Sequence, residues 1–424
     1  MREGISVAEA QAHVLEAAPI LGAETLSVRA AEGRVLAEPV DSTRVLPPAD
    51  CSAMDGYAVR AADLAAAGPG GEVALPLAYE VSAGGVAPRP LEPGEVARIF
   101  TGAPLPPGAD AVVIQELVET DGPRVLFGSR AERGDHIRRA GEDLAMGDRV
   151  LEAGQTIGPA QVGVLASLGR SVLSVHRRPR VALLSGGDEL VEPDGDIAGG
   201  RIVSSNSYTL AAQTRAAGGE PLYLGIARDD PAAIEARLRA GLHADVIVSS
   251  AGVSVGDHDH VRSVLESLGC RLEFWGVRMK PGYPVAFGRF AAQTPGSPGT
   301  LVFGLPGNPV SASVTFEQFV RPALLKMQGM RRVHRPTLQA RLTHALDKKP
   351  GRLHFVRVRL DCEGDSLLAT STGNQSSGVM RSLSDADGLL VFPADSTRLE
   401  AGDLATVQVT CERALWRTDR GFEA

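Results

Sequence analysis

Three turns rich in glycine and polar residues, two of which carry carboxylates, could bind an anion together with a metal ion. Each follows a short run of apolar, largely β-branched residues, and the turns span residues 185–190, 249–259 and 304–311. The runs are too short for a buried helix and have the content of buried parallel strands. Because ligands bind at the carboxyl ends of strands in an open α/β sheet, these turns predict the active site.

The third turn, Gly-Leu-Pro-Gly-Asn-Pro-Val-Ser, leads straight into a helix predicted over about 311–328. The backbone amides of residues 307–311 would therefore point toward the mouth of the sheet. There the helix dipole favours a phosphate or a tetrahedral oxyanion. Pro306 and Pro309 stiffen the loop, which lowers the cost of ordering it on binding. The alternative is an ordinary tight strand-to-helix turn.

Carboxylates occur in pairs in the other two turns, as Asp188 with Glu189 and as Asp257 with Asp259. Magnesium prefers carboxylate oxygens and retains several waters when it bridges phosphates, so these pairs predict a magnesium site. Each pair taken singly could equally cap a helix or face solvent. Lys280 lies just after a further predicted strand and would supply a cation for an anionic ligand.

A second group of polar residues lies in a β-rich stretch earlier in the chain. Asp55 stands beside a glycine, Thr101 ends a strand, and Arg138 and Asp143 belong to the run Ile-Arg-Arg-Ala-Gly-Glu-Asp. The alternative interpretation is a hairpin turn, a strand end and a surface ion-pair cluster.

The elements that must position these residues indicate several domains, because 424 residues exceed what one core usually fills. Strands alternate with helices in the central region, which predicts a doubly wound, mostly parallel α/β domain. The regions on both sides are β-rich. We predict an elongated helical and β linker domain, an inserted β-rich domain, the α/β domain, and a C-terminal β-barrel-like domain with a sandwich as its alternative. Their residues are 1–45 with 140–177, 46–139, 178–329 and 330–424, respectively.

Composition excludes several classes of protein. The net charge is −8 with no dense block of Lys and Arg, so we expect no nucleic-acid partner. No apolar run approaches a membrane span, and the N-terminus lacks the apolar core of a signal peptide, so we expect a cytoplasmic protein without a membrane partner. The four cysteines show no C-x-x-C spacing, which indicates reduced thiols rather than a zinc site or disulfide framework.

These residues belong to motifs that resemble the molybdopterin molybdenumtransferase family of the bacterial MoeA type, which is also similar to the C-terminal part of gephyrin. The resemblance covers nearly the whole chain, in the family's order. The motifs are Ser52-Ala-Met-Asp-Gly-Tyr-Ala-Val, Arg98-Ile-Phe-Thr-Gly-Ala-Pro, Ile137-Arg-Arg-Ala-Gly-Glu-Asp, Gly187-Asp-Glu-Leu, Gly252-Val-Ser-Val-Gly, Met279-Lys-Pro-Gly and Gly304-Leu-Pro-Gly-Asn-Pro-Val-Ser.

The resemblance implies a homodimer whose discontinuous N-terminal domain contributes to dimerisation. It also implies that adenylylated molybdopterin and molybdate react, with magnesium required, to give molybdenum-molybdopterin and AMP. Contacts with molybdopterin adenylyltransferase and with maturation factors of molybdoenzymes are further expected partners. Carried over by motif, the catalytic positions are Asp55, Thr101, Asp143 and Asp229. The substrate-binding positions are Arg138, Ser250, Gly252, Asp259, Lys280, Pro306, Gly307, Asn308, Pro309 and Ser311. Glu189 and Asp259 are our hypothesis for the magnesium ligands, and the sequence leaves the true metal ligands unassigned.

The sequence departs from the family pattern at Gly186, where members often carry threonine, and at Gly276 and Tyr283, where they often carry lysine. Losing two cations weakens an oxyanion site built from several lysines, and Arg278 is a candidate to compensate. The sequence leaves open whether tungstate replaces molybdate and whether a second homologous protein shares the work. Adenylyl transfer to molybdopterin and a non-catalytic scaffold remain alternative functions.

Overall fold

A computed structural model describes residues 1–69, 71–250, 260–292, 298–364 and 366–412. The chain divides into two compact units. The first contains Met1–Glu38, Ala153–Val162 and Val172–Ala424, and the second contains Pro39–Glu152 and Gly163–Ser171. The four domain boundaries given above stay predictions.

The strands follow the chain in three groups. Up to residue 176 they are β1 (Arg2–Ile5), β2 (Ala23–Ser27), β3 (Val40–Asp41), β4 (Cys51–Ser52), β5 (Gly56–Val59), β6 (Val73–Val81), β7 (Val96–Ile99), β8 (Ala111–Ile114), β9 (Val118–Asp121), β10 (Arg124–Phe127), β11 (Ile137–Arg138), β12 (Arg149–Leu151) and β13 (Val172–His176). From residue 180 to 305 they are β14 (Arg180–Gly186), β15 (Leu190–Val191), β16 (Ile202–Val203), β17 (Glu220–Ala227), β18 (Val246–Ser250), β19 (Arg271–Val277), β20 (Met279–Lys280), β21 (Ala286–Arg289) and β22 (Leu301–Leu305). The last group is β23 (Thr337–Leu342), β24 (Leu346–Asp347), β25 (Leu353–Glu363), β26 (Ser366–Ser371), β27 (Gly388–Phe392), β28 (Arg398–Leu399) and β29 (Leu404–Val409).

The α-helices are α1 (Val7–Ala17), α2 (Pro159–Ser167), α3 (Ser205–Ala216), α4 (Pro231–Gly241), α5 (His260–Ser267), α6 (Pro309–Thr315), α7 (Arg321–Met327) and α8 (Met380–Ser384). A π-helical turn, Phe316–Val320, joins α6 to α7. Single 3₁₀ turns lie at Val28–Ala30, Ala61–Leu64, Gln115–Leu117 and Ala198–Gly200. None of the helices in the described part of the chain is long and apolar enough to cross a membrane.

The α/β sheet of the first unit has the order β1-β19-β21-β22-β18-β14-β17. Only β21 runs against its neighbours, so the prediction of a mostly parallel sheet is confirmed. Successive residues of β14 face opposite sides: Val181 and Leu183 pack with α1, α3 and α6, whereas Ala182 and Leu184 pack with α4 and α5. Burial on both faces explains why the strand is a continuous apolar run.

The C-terminal part of the first unit contains a closed barrel in the order β25-β26-β23-β29-β27, because β27 also pairs with β25. Alternate residues of β25, including Val356, Val358 and Leu360, fill its interior. The predicted barrel is therefore confirmed. Barrel closure leaves these strands without a free edge.

The second unit contains a six-stranded sheet in the order β8-β5-β7-β6-β10-β9, which confirms the predicted β-rich insertion. Strand β5, which lies between β8 and β7, begins at Gly56, where an added Cβ would lie 2.2 Å from the carbonyl oxygen of Val113. Only glycine fits at this strand crossing, and the turn that carries Asp55 is thereby held against the neighbouring strand.

The helix starts show which capping signals the chain uses. Ser6 followed three residues later by Glu9 predicts a capping box, and the structure confirms it before α1. For α3 the sequence predicts a helix over 208–217 capped by Asn206 or Ser207. This is wrong, because the helix begins at Ser205 and Ser207 lies inside it. The predicted last helix likewise begins two residues earlier, at Pro309, and the π turn interrupts it.

Candidate functional site

The three glycine-rich turns were predicted to follow strands that end at one sheet edge, and the described residues confirm this. Strands β14, β18 and β22 are parallel neighbours, and Ser185 pairs with Ser250, which pairs with Leu305. Gly252 and Asp259 lie outside the described residues, so the second turn is represented here by Ser250 alone.

A cavity of about 710 Å³ lies at this edge. Predicted site residues from all three turns line it: Glu189, Ser250, Pro306, Gly307, Asn308 and Pro309. The remaining lining residues are Gly186, Leu190, Ile202, Val203, Ser204, Ser205, Asn206, Pro284, Gly378 and Met380. Asp229, Lys280 and Ser311 are not among the lining residues, and Ser311 is buried.

Contacts on two sides hold the third turn. The side-chain amide of Asn206 donates to the Gly307 carbonyl over 2.7 Å, and the Val310 amide donates to the Ser377 carbonyl over 3.1 Å. Sequence reasoning missed the second contact and with it the segment 376–380, which brings Gly378 and Met380 to the cavity. The signal that could have found this segment is its run of small polar residues after β26.

The two carboxylates that follow β14 make different contacts. Asp188 Oδ1 accepts a hydrogen bond of 3.2 Å from the amide of Asp229, two residues after β17, and so joins two turns. The Glu189 carboxylate instead lies against Gly187, where an added Cβ would approach Glu189 Oε2 to 2.6 Å. Glycine at 187 therefore leaves room for a carboxylate that faces the cavity.

A complete metal site is not assembled by the described residues, which contain no group of three or more His, Cys, Asp or Glu placed to hold an ion. Glu189 has no ion pair or side-chain hydrogen bond within the described part of the chain. Its chemistry fits one magnesium ligand, with ligand phosphates and water as the others.

The cations next to the α/β sheet lie near the barrel. Lys280 is exposed and pairs through its backbone with His354 of β25. Arg278, which we expected to compensate for the missing lysines, donates through Nη1 to the Gly4 carbonyl over 2.8 Å. The Arg352 guanidinium instead lies 4.5 Å from the ring centroid of Tyr283. A cation–π contact thus places an arginine beside one of the departures from the family pattern.

His354 is buried, and neither of its ring nitrogens has a hydrogen-bond partner among the described residues. Burial, and then the charge of Lys280, lower the pKa of His354 to about 4. The imidazole is therefore neutral near pH 7 and adds no charge beside Lys280.

Asp55 and Thr101 of the second unit lie together. Asp55 Oδ1 accepts hydrogen bonds from the Thr101 amide over 2.8 Å and from its hydroxyl over 2.7 Å. The hydrogen bond from the Thr101 amide has the largest effect, and the one from the Thr101 hydroxyl the next largest. Together they hold the pKa of Asp55 below its usual value. A carboxylate in this turn is therefore ionised and fixed in orientation.

Arg138 and Asp143 are exposed residues of the same unit. Their neighbours make the structural contacts: Arg139 pairs with Asp50 over 2.6 Å, and the Arg139 amide donates to Glu142 over 2.9 Å. Within the described residues Arg138 and Asp143 form no side-chain ion pair. The alternative interpretation from the sequence placed both side chains in a surface ion-pair cluster. The structure instead forms that cluster from their neighbours.

Two of the positions that depart from the family pattern, Gly276 and Tyr283, lie against each other. Gly276 has a φ of +75°, and an added Cβ would lie 3.2 Å from the Tyr283 ring. Tyr283 also packs edge-on against Trp275, with 5.8 Å between ring centroids. We expect Gly276→Ala to lower the free energy of unfolding by about 1–2 kcal/mol, because alanine is strained in the left-handed region.

Gly186→Ala is the matched control, because an added Cβ at Gly186 has no atom within 4 Å and its φ is not left-handed. Urea unfolding of both variants, with wild type alongside, measures the difference. Equal stability of the two variants would contradict the explanation.

The sequence matches three regions of known families: "MoeA N-terminal region (domain I and II)" over residues 5–169, "Probable molybdopterin binding domain" over 182–326, and "MoeA C-terminal region (domain IV)" over 339–410. These regions occur in the same order as the motifs of the sequence.

Full-length relatives agree with these matches. "Molybdopterin molybdenumtransferase 2" of Mycobacterium tuberculosis is 40% identical over 94% of this chain and 97% of its own length. "Molybdopterin molybdenumtransferase" of Nostoc sp. is 37% identical over 91% of this chain and 88% of its own. The crystal structure of the molybdopterin biosynthesis MoeA protein from Pyrococcus horikosii is 32% identical, with a TM-score of 0.81 over 96% of this chain and 99% of that one.

Proposed function

This chain belongs to the MoeA family, and we propose that it is a molybdopterin molybdenumtransferase, which inserts molybdate into adenylylated molybdopterin and releases AMP. The observation that carries the proposal is the cavity at the carboxyl ends of β14, β18 and β22. It combines an open carboxylate, buried hydroxyls and a proline-stiffened turn in one place. This combination of groups suits a ligand with a diphosphate and two ring systems.

The third turn is the proposed binding site for the anionic part of the ligand. The amides near Gly307 and Asn308 lie at the cavity, and the contacts from Asn206 and Ser377 fix the turn before ligand binds. A preformed turn lowers the ordering cost of binding. Pro306 and Pro309 contribute in the same way.

Molybdate is proposed to bind near Lys280 and the backbone amides from Gly307 to Ser311, with Ser311 as a further contact. The two lysines that the family often carries are absent, and Arg352, supported by the Tyr283 ring, returns one cation to this region. Arginine keeps its charge at every relevant pH and presents several donors to an oxyanion.

Magnesium is proposed to bind at Glu189 and Asp259, together with ligand phosphate oxygens. When bound, the ion would offset the charge that develops as the diphosphate bond breaks. Gly252 and Asp229 complete the proposed site, Gly252 in the second turn and Asp229 two residues after β17. Holding both reactants in one cavity would couple metal insertion to AMP release by proximity.

Asp55, Thr101, Arg138 and Asp143 are proposed to act in the cleft of a homodimer, where the second unit of one subunit would close over the cavity of the other. Asp55 is suited to orient or activate water, because hydrogen bonds from Thr101 fix its ionised carboxylate. Arg138 and Asp143 are available for a ligand. We further propose that the protein acts in the cytoplasm, with molybdopterin adenylyltransferase and molybdoenzyme maturation factors as partners.

Release of AMP tests the proposed function directly. We expect the purified protein to release AMP from adenylylated molybdopterin with magnesium, at least tenfold faster with molybdate than without it. Chromatographic quantification of AMP over time provides the measurement. Tight binding of the nucleotide with no molybdate-dependent release would instead indicate a carrier or scaffold.

Adenylyl transfer is not favoured. That reaction needs only the molybdopterin-binding domain, whereas this chain also matches the MoeA N-terminal and C-terminal regions. Incubation of molybdopterin with ATP should accordingly yield no adenylylated product.

A further inference from the structure

A chain of hydroxyl groups runs from an exposed carboxylate to the cavity. Glu192 accepts a hydrogen bond of 2.7 Å from the Tyr223 hydroxyl. Tyr223 is 3.5 Å from Ser207 Oγ, which is 2.6 Å from Ser185 Oγ, and Ser185 Oγ is 3.1 Å from Ser250 Oγ. Ser250 lines the cavity, so the chain ends at the proposed ligand site.

The serines of this chain are buried, with relative exposures of 1% for Ser185, 4% for Ser207 and 2% for Ser250. A buried hydroxyl must make its hydrogen bonds within the protein or to a ligand. Each hydroxyl has one hydrogen to donate and two lone pairs, so fixing one direction in the chain constrains the others.

The carboxylate end fixes that direction. An ionised carboxylate only accepts, so Tyr223 donates its one hydrogen to Glu192 and its oxygen can accept from Ser207. Burial raises the pKa of Tyr223 to about 12, which keeps this phenol protonated. Ser207 donates its one hydrogen to the Tyr223 oxygen. Its two lone pairs then remain for Ser185 and for Ser204, whose Oγ is 2.7 Å away. Ser185 in turn must accept from Ser250.

We infer that the Ser250 hydroxyl donates into the protein and presents its lone pairs to the cavity, so that it accepts a hydrogen bond from the exocyclic amino group of a heteroaromatic ring of the ligand and does not donate to a phosphate. This inference rests on the proposed function, which supplies a ligand with pterin and adenine rings. Both rings carry an exocyclic amino group, and the inference leaves the choice between them to the experiment.

Two pairs of probes exchange an amino donor for a carbonyl acceptor: AMP against inosine monophosphate, and pterin against lumazine. Calorimetric titration of the full-length protein gives the affinity ratio within each pair. We expect wild type to prefer the amino member of one pair by at least about fivefold, because the carbonyl member faces the Ser250 lone pairs. The pair that shows the preference identifies the ring. A ratio near one in both pairs would overturn the inference.

Three substitutions test the direction of the chain. Ser250→Ala should bring the ratio of the discriminating pair close to one while leaving the affinity for inorganic pyrophosphate unchanged. Tyr223→Phe removes the acceptor for Ser207, so the Ser207 hydrogen turns to Ser185, its shortest hydroxyl contact. The chain then reverses, and the carbonyl probe should gain affinity. Tyr208→Phe is the matched control: Tyr208 also donates to Glu192, over 2.9 Å, but lies outside the chain, so the wild-type ratio should persist.

Weaker pyrophosphate binding by Ser250→Ala would overturn the inference, since it would mean that Ser250 donates to an anion. An unchanged ratio in Tyr223→Phe would do the same, and this variant carries the test alone if Ser250→Ala fails to fold. Turnover distinguishes the two proposals. A wild-type protein that shows the ring preference but no molybdate-dependent AMP release would contradict the proposed function and leave the role of Ser250 intact.

Discussion

Asp55→Asn is expected to reduce molybdate-dependent AMP release by at least about 100-fold, the size of effect that a positioned acid or base contributes. The substitution removes the charge but retains an oxygen that can accept both hydrogen bonds from Thr101. The turn before Gly56 should therefore keep its shape. The rate constant for AMP release at saturating magnesium and molybdate measures the effect.

Asp63→Asn is the control for the Asp55 substitution. Asp63 belongs to the same unit, and its Oδ2 accepts a hydrogen bond of 2.8 Å from the Gly94 amide, so the two substitutions change the same charge at comparable turns. We expect the control to release AMP at nearly the wild-type rate. Equal loss in both variants would assign the effect to the charge or stability of the unit. Full activity of Asp55→Asn would remove Asp55 from the mechanism.

The sheet edge could be predicted from sequence because local pattern decides it. A strand buried on both faces must be a short apolar run, and a glycine-rich turn must follow where the chain leaves the sheet. Three such runs were enough to identify Ser250, Glu189 and the third turn as neighbours. The barrel was predicted for a similar reason, since Val356, Val358 and Leu360 alternate with polar residues along β25.

What the sequence could not give are contacts between residues far apart in the chain. The segment 376–380 reaches the cavity because Ser377 accepts a hydrogen bond from Val310, and no local pattern encodes that pairing. Gly276 and Tyr283 were separate departures in the sequence, yet the Tyr283 ring occupies the space that a side chain at 276 would need. A lysine at either position would thus alter the surroundings of the other.

Helix α3 shows a different kind of error. Ser204, Ser205, Asn206 and Ser207 are all suitable capping residues, so local chemistry could not choose the start of the helix. The tertiary hydroxyl chain and the bond from Asn206 to Gly307 use two of these side chains instead. Tertiary hydrogen bonds thus engage side chains that local propensity would assign to capping the start of the helix.

Glu189→Gln is expected to raise the magnesium concentration for half-maximal AMP release by at least about tenfold. A neutral amide is a weaker ligand than a carboxylate for a hard cation. The two side chains have nearly the same shape, and the carboxylate of Glu189 makes no ion pair among the described residues that the substitution would break. Initial rates of AMP release over a magnesium titration, at constant ionic strength, provide the measurement.

Asp188→Asn separates a role in metal binding from a general effect of negative charge. The two acids are adjacent, but Asp188 Oδ1 accepts from the Asp229 amide, and the asparagine oxygen can retain this bond. The control should therefore leave the magnesium dependence within about twofold of wild type, since it does not remove a cavity-facing carboxylate. An equal shift in both variants would indicate that the turn attracts magnesium through its summed charge. No shift in either variant would indicate that the metal binds outside this turn. The remaining carboxylates at the sheet edge would then have to hold the ion without Glu189.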